Sequence, residues 1–414
     1  MDDIQRSLDH RETVKRSWWT LGILSLLMGF ASISTDLYLP AMPIMGQSLG
    51  ASPGTVEWTV SGYLIGFSLG QLLWGPISDR YGRRLPVAIG LVLFAFGSGG
   101  CGLAESATTL IAFRLVQAVG GSAGVVLSRA MVRDLYEGRR AVQMMSTLIT
   151  VMAIAPLLGP IVGAQILAIA GWRAIFAVLV IVGIGTLLAL LALPETLPAA
   201  RRTKDLLSWT LFRYIELLGQ RRILGYACVG GFFYGGTFAY VAGTPFAYIT
   251  YHHVPAQLYG LIFAAGIVGI MVTNTINAQL VHRFGSDHLL FRGAVIAAVA
   301  GITAAIAAWT GWGGLWSLAI ALFVYTSATG LVIANSVAGA LNEFPERAGA
   351  VSALVGAMQY GCGIIGSGSV GLFADGTPWP LGSVMAVAGI GSLLSTRLVR
   401  SGRDRDRHRI AAGM

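Results

Sequence analysis

About a dozen long apolar runs recur along this chain of 414 residues, and they constrain its fold more tightly than any single motif. A stretch of 18 or more mostly apolar residues can cross a hydrocarbon core of roughly 30 Å as a helix. The runs fall near residues 18–39, 55–77, 84–104, 107–129, 141–166, 172–193, 223–246, 256–281, 289–309, 314–336, 347–372 and 379–398, twelve in all. Hydrophobic residues make up 55% of the chain and charged residues 11%, with a mean hydropathy of +0.70. That balance does not suit a soluble domain. A transmembrane barrel would show segments of about ten residues alternating apolar and polar, and no such alternation is present. The expectation is an all-α integral membrane protein with twelve transmembrane helices.

The 28 Lys and Arg residues set the expected orientation. They gather in the N-terminal arm (Arg6, Arg11, Lys15, Arg16), the second-to-third connection (Arg80, Arg83, Arg84) and the fourth-to-fifth (Arg133, Arg139, Arg140). More follow in the central linker (Arg201, Arg202, Lys204, Arg213, Arg221, Arg222) and in a tail with six arginines from Arg397 to Arg409. The connections on the other side hold almost none, Arg173 being the exception. Positive loops stay in the cytoplasm, so both termini and the linker are expected there, in agreement with an even number of spans. The pI near 9.7 then reflects loops on one membrane face rather than a nucleic-acid partner. The N-terminal arm lacks the short apolar core and cleavage site of a removable signal, so the first run is expected to remain.

The chain echoes itself about half a length apart. GPISDRYGRR (75–84) stands between runs two and three and NAQLVHRFGSDH (277–288) between runs eight and nine, so Arg80-Tyr81-Gly82 recurs as Arg283-Phe284-Gly285. Such an echo indicates two six-helix bundles related by an axis along the membrane normal, with a substrate site between them near the midplane. The expected division is an N-terminal arm (1–17), a first bundle (18–195), a polar and basic linker (196–222), a second bundle (223–398) and a basic tail (399–414).

Several chemistries are missing. A phosphate-binding loop needs G-x-x-x-x-G-K-[ST], and the only lysines, Lys15 and Lys204, lie in no such context. The run Gly120-Gly121-Ser122-Ala123-Gly124 lies within an apolar span, where small residues serve close helix packing. Cys101, Cys228 and Cys362 show neither pairing nor metal spacing. All six histidines fall at span ends or in loops, which argues against a membrane-embedded enzyme. No cofactor and no metal are expected.

Two charges do fall inside the runs. Asp36 lies in the first and Arg114 in the fourth, and an ionisable group within a span is a functional candidate by default. If the first span leaves the membrane near Pro40 and the fourth enters near Thr108, Asp36 lies roughly 6 Å and Arg114 roughly 9 Å below that boundary at 1.5 Å per residue. Burial favours the neutral acid and a nearby arginine favours the carboxylate. Asp36 can therefore exchange a proton in response to a rearrangement, with Arg114 tuning it, which is the requirement for coupling. The competing expectation is a fixed pair that only holds helices together. Glu57 is expected at the outer end of span two, in contact with solvent.

The motifs also resemble a known family, the major facilitator superfamily, and within it the drug/proton antiporters of the bicyclomycin-resistance and chloramphenicol-efflux (Bcr/CflA) group. GPISDRYGRR is similar to that superfamily's second-to-third loop signature, FRLVQAVGGSAG (113–124) to its fourth-span signature, and APLLGPIVGA (155–164) to the fifth-span signature of antiporters. STDLYLPAMP (34–43), GWRAIF (171–176), PETLP (194–198) and AGTPFAYI (242–249) narrow the resemblance to the group. Each is short; their order and spacing together carry the likeness over nearly the whole length. Some relatives carry a carboxylate two turns earlier in span one, where this chain has Met28, which leaves proton coupling to Asp36 alone.

The resemblance implies a major facilitator fold around a central cavity, and gating roles for Gly75, Asp79, Arg80, Gly82, Arg83 and Arg84 in the loop and for Pro156, Gly159, Pro160 and Gly163 in span five. Gly75 would let span two approach a neighbour closely. Asp79 would face the start of span eleven, near Arg347 to Gly349, where a negative charge meets the positive end of the helix dipole. Pro156 and Pro160 remove backbone hydrogen bonds and bend the helix, while Gly159 and Gly163 open one of its faces. The second-half loop has His282 in place of Asp79, so a latch there would be asymmetric.

Substrate contacts are expected from the aromatics of span seven and from polar groups within spans: Tyr38, Tyr63, Gln117, Tyr234, Phe238, Asn274, Asn335 and Gln359. The function implied is proton-coupled export of small amphipathic, drug-like compounds, antibiotics of the bicyclomycin or chloramphenicol type among them. The setting is a bacterial inner membrane, and the partners are protons, lipid and substrate. A metabolite transporter is the alternative. The fifth-span signature argues against an importer, and a receptor would have little use for the echoed loop. The two-bundle plan needs only one chain, so a monomer is expected.

Overall fold

The computed structural model describes residues 2–202, 219–343 and 348–411, and every regular element among them is helical. The first half contains α1 (Asp2–Asp36), a short α2 (Met42–Ser48), α3 (Pro53–Tyr81), α4 (Arg84–Leu103), α5 (Ala107–Leu135), α6 (Gly138–Ala170) and α7 (Trp172–Leu191). The second contains α8 (Arg221–Pro245), α9 (Ala256–Phe284), α10 (Ser286–Thr310), α11 (Gly314–Ser327), α12 (Thr329–Glu343), α13 (Ala348–Leu372) and α14 (Trp379–Ala411). Among the described residues nine segments are long and apolar enough to cross a bilayer, with α1–α2 and α11–α12 each counted as one. The other three spans are α3, α8 and α13, rich in glycine and in Ser, Thr or Tyr. These three help form the seam between the two halves, where a wholly apolar surface is not required. The protein is a multi-pass membrane protein.

The packing pattern repeats between the halves. In the first, α3 packs on α5, α4 on α5 and α7, and α1 on α5 and α6. In the second, α9 packs on α11 and α12, α10 on α11, α12 and α14, and α8 on α12 and α13. Shifting by six spans maps one set onto the other, which gives the echoed sequence a structural meaning. The echo itself ends two helices in the same way: Gly82 (φ +93°) and Gly285 (φ +76°) cap α3 and α9 in backbone conformations that side chains rarely adopt. The preceding arginines lie over the neighbouring rings, Arg80 over Tyr81 at 5.6 Å and Arg283 over Phe284 at 5.4 Å.

The apolar stretch of the first span continues past Pro40. Pro40 and Pro43 occupy the first turns of a 3-10 segment (Leu39–Ala41) and of α2, where a missing N–H costs nothing, and by length and composition the candidate span covers Trp18 to Ser48. Span ten is interrupted at Ala328, between α11 and α12. The Ser327 carbonyl next to the break accepts a hydrogen bond from Thr273 Oγ1 on α9 at 2.5 Å, so a side chain of the neighbouring helix satisfies the freed group. Of the linker, residues 203–218 lie outside the described residues.

The halves meet at two seams, α3 against α13 and α6 against α9. The face carrying the termini and the linker is here termed the terminal face and its opposite the distal face. The close contacts run along the distal half. A Cβ at Gly54 would collide with the Gly371 carbonyl, Trp58 lies against Gly368 and Gly371, and Ser61 Oγ meets Ser367 Oγ at 2.8 Å. Phe67 and Tyr360 approach at 5.5 Å between ring centroids. On the other seam Gly260 of α9 lies against Pro160 and Ile161 of α6.

Candidate functional site

α1 breaks at Asp36. The next helical turn starts only at Leu39, so the carboxyl leaves the end of one helical segment inside the protein, 6% exposed. The break fits a surface made by α6: a Cβ on Gly159 would come within 2.8 Å of the Asp36 Cβ, and one on Gly163 would overlap the Leu37 carbonyl. On the side of the second bundle, Tyr240 of α8 and Tyr259 of α9 lie within electrostatic range of Asp36. The carboxyl thus belongs to the first bundle and lies within electrostatic range of the second.

Arg114 is fully buried on α5. Its Nη1 donates to the Ser34 carbonyl (2.9 Å) and to Gln117 Oε1 (2.6 Å), and its guanidinium lies over the rings of Tyr38 (4.1 Å) and Tyr63 (4.4 Å). Desolvated contacts of this kind contribute about 2 kcal/mol or more each. The partners are themselves tied down. Gln117 Nε2 donates to Ser98 Oγ (2.8 Å), Tyr63 OH meets Ser34 Oγ (2.6 Å), and Tyr38 OH meets Thr59 Oγ1 (3.1 Å). Nε and Nη2 of Arg114 have no hydrogen-bond partner among the described residues. Arg114 and Asp36 interact through space but form no ion pair. The fixed pair of the competing reading is therefore absent, and Tyr38, Tyr63 and Gln117 support the arginine instead of lining a cleft.

The other substrate candidates divide. Tyr234 and Phe238 are half-buried and join Tyr360 of α13 and Phe67 of α3 in one aromatic cluster, with rings 5.5 to 6.2 Å apart. Arg129 of α5 lies within electrostatic range of the Tyr234 and Tyr360 hydroxyls; it contacts Met152 Sδ at 3.8 Å and pairs with no carboxylate among the described residues. Arg129 and Tyr360 escaped the sequence reading, the first because it stands at the very end of the fourth apolar run. Asn335 is buried and donates to Asn277 Oδ1 (2.6 Å), which ties α12 to α9, while Asn274 is exposed. Gln359 is buried beside Gly230. A groove of about 540 Å³ between α8, α13 and α14 lies apart from this cluster; its exposed Ile365 and Val387 mark it as a seam on the bundle perimeter.

On the terminal face Asp79 has no partner in the second bundle among the described residues. It pairs with Arg83 (2.5 Å), which also holds Asp134 at the end of α5 (2.8 Å) and Ser78 (2.6 Å). Glu195 accepts from the backbone N–H groups of Arg83 (2.8 Å), Arg84 (3.2 Å) and Leu197 (3.0 Å). Burial works against its charge, but these three donors and nearby Arg202 outweigh it and hold the carboxyl below its ordinary range. Arg347, Asp79's expected neighbour, lies outside the described residues. Gly75 is also corrected. A Cβ there would meet nothing within 4 Å among the described residues, although the adjacent Trp74 indole donates to the Val119 carbonyl of α5. In the second half Arg222 binds Glu343 (2.8 Å) and Asp287 (3.9 Å), and Tyr226 OH donates to Asp287 (2.6 Å).

Glu57 is 3% exposed rather than solvated, because α13, α8 and the loop after α13 fold over the start of α3.

Residues 24–367 match the Major Facilitator Superfamily. The chain is 37% identical over 391 residues to the MFS-type transporter YdgK of Bacillus subtilis, covering 93% of this chain and 96% of that one. It is 30% identical over 377 residues to a bicyclomycin resistance protein homologue of Haemophilus influenzae, covering 91% and 94%. Its fold is similar to the xylose transporter XylE from E. coli, with a TM-score of 0.70 at 16% identity over 93% of this chain and 97% of that one. Twelve spans in two similarly packed bundles, the loop and span signatures and these relatives agree: the chain belongs to the major facilitator superfamily, in the group that includes the bicyclomycin-resistance transporters.

Proposed function

We propose that this protein exports small amphipathic, drug-like compounds in exchange for protons by alternating access, with Asp36 as the proton-binding group. The observation that carries this reading is the placement of Asp36: a buried carboxyl at a helix break, without an ion-pair partner, set between the bundle it belongs to and the one it must move against. A charge enclosed there is costly, so its neutralisation changes the energy of the contact between the halves. Proton binding then favours closing around Tyr240 and Tyr259. Proton loss calls for water or another conformation.

Arg114, held by Ser34 and Gln117 and flanked by two rings, supplies a fixed positive potential at that level. Positive loops on the terminal face assign it to the cytoplasm, so the distal contacts close the cleft toward the outside and the state described faces inward. Gly75, with open space beside it, and Asp79, held by Arg83, are then parts of a latch that engages in the opposite state. Substrate would enter near Tyr234, Phe238, Tyr360 and Phe67, an apolar and aromatic surface with few polar anchors, as amphipathic ligands require. Arg129 would supply one of those anchors, favouring compounds that carry an anionic or strongly accepting group. Accumulation of a fluorescent drug in inverted membrane vesicles tests this: uptake should need an imposed proton gradient and collapse with an uncoupler. Gradient-independent uptake would favour a facilitative metabolite transporter.

A further inference from the structure

Glu57 takes no part in the proton step assigned to Asp36. It sits in the second turn of α3, on the distal face, and its Oε2 is buried without a hydrogen-bond partner among the described residues. The recess around it has a volume of about 20 Å³, room for a single water. Its walls come from the other bundle: Gly243 and Phe246 at the end of α8, Val370 of α13, and Ala374, Thr377 and Pro378 of the loop before α14. The same seam is closed by Gly54 against Gly371 one turn away. The carboxyl is therefore enclosed only while the distal ends of the two bundles touch.

No cation lines this recess. α3 carries no other charge before Asp79, and the charged residues of α14 start at Arg397. The titratable groups of α8 and the turn after it are Arg221, Arg222, Tyr226, Cys228, Tyr234, Tyr240, Tyr248, Tyr251, His252 and His253, and those of α13 are Tyr360 and Cys362; none is part of the lining. Asp375, in the loop, is occupied in accepting from Thr377 N (3.0 Å), Thr377 Oγ1 (2.7 Å) and Trp379 Nε1 (2.7 Å). An ionised carboxylate enclosed without a cation or a full set of donors is strongly disfavoured, whereas the neutral acid can be satisfied by one water or a carbonyl.

We propose that Glu57 is a second proton-binding site, loaded from the distal face, whose occupancy allows the distal seam to close. When the bundles part, water reaches the side chain and the proton returns to the same side. The proton joins Glu57 Oε on closing and leaves to solvent on opening, so it crosses no membrane and adds nothing to the exchange ratio. Acidity outside thereby resets the protein toward the inward-facing state. Only the name of that outer side rests on the function proposed above.

The test uses the full-length protein in liposomes, with the three native cysteines replaced and spin labels at Gln47 and Thr250, exposed residues near the distal ends of the two bundles. Every variant carries Asp36→Asn to silence the other acid, and no substrate is added. Linkage of one proton to closure predicts a closed-to-open ratio that rises by up to about tenfold per unit of acidification. Asp36→Asn alone and Asp36→Asn with Glu57→Asp should show that response; Asp36→Asn with Glu57→Gln should be flat. A pH response that survives Glu57→Gln, or its absence with Glu57 intact, would overturn the proposal. Failure of proton-coupled export would leave these distances unchanged, so the two ideas stand or fall separately.

Discussion

Arg114 and Asp36 lie in the first bundle without sharing a hydrogen bond: the arginine is committed to Ser34 and Gln117, and Asp36 packs its Cβ and backbone against Gly159. A salt bridge would fix the acid in its charged form. Separation leaves the acid free to change its proton occupancy while the arginine stays in place. Because the guanidinium spans two acceptors and two rings, lysine cannot replace it. Arg114→Lys should lower export sharply, and Arg114→Ala should also destabilise the protein by several kcal/mol, since it leaves Gln117 and the tyrosines around a void. Drug accumulation and thermal melting in detergent separate the two effects.

Gly163 and Gly75 should respond to alanine in opposite ways. A Cβ at Gly163 overlaps the Leu37 carbonyl, and overpacking of this kind costs about 1–3 kcal/mol. A Cβ at Gly75 meets open space, and Gly→Ala within a helix gains up to about 1 kcal/mol. Gly163→Ala should melt at a lower temperature than the native protein. Gly75→Ala should melt slightly higher yet transport more slowly, because the added methyl group hinders the opposite state.

Glu195 makes stability depend on pH. Its carboxyl is held below its ordinary value of 4.5 in the folded state, so its contribution is fully present above that value and is lost as pH falls through the lower, folded one. Melting temperatures measured from about pH 3 to about pH 7 should fall more steeply at the acid end for the native protein than for Glu195→Gln.

Arg129 should set a charge preference. A hydrogen bond to a charged group contributes about 1.5–3 kcal/mol, so Arg129→Gln should weaken inhibition by aromatic carboxylates at least about tenfold and leave aromatic cations little changed. Equal losses for both classes would mean that Arg129 only supports the cleft.

The twelve spans and the duplicated halves were legible in the sequence because they rest on local apolarity and on a repeated turn that requires glycine at Gly82 and Gly285. Asp36 and Arg114 were legible because a charge within a span stands out against its neighbours. Their relationship was not, since the hydrogen bonds from Arg114 depend on how α1 and α5 pack. Glu57 was misread for the same reason: α13 and the loop that enclose it lie some 300 residues away, and position near a span end suggested water. Pro40 resembled a terminator because proline stops many helices; here it starts the next helical turn.

The most direct test of the central claim follows internal pH with a dye in energised proteoliposomes while candidate drugs are added. The native protein should release protons whenever a substrate is added, and Asp36→Asn should give none while still binding drug. Full substrate-driven proton release by Asp36→Asn would contradict the assignment of the coupling proton to Asp36.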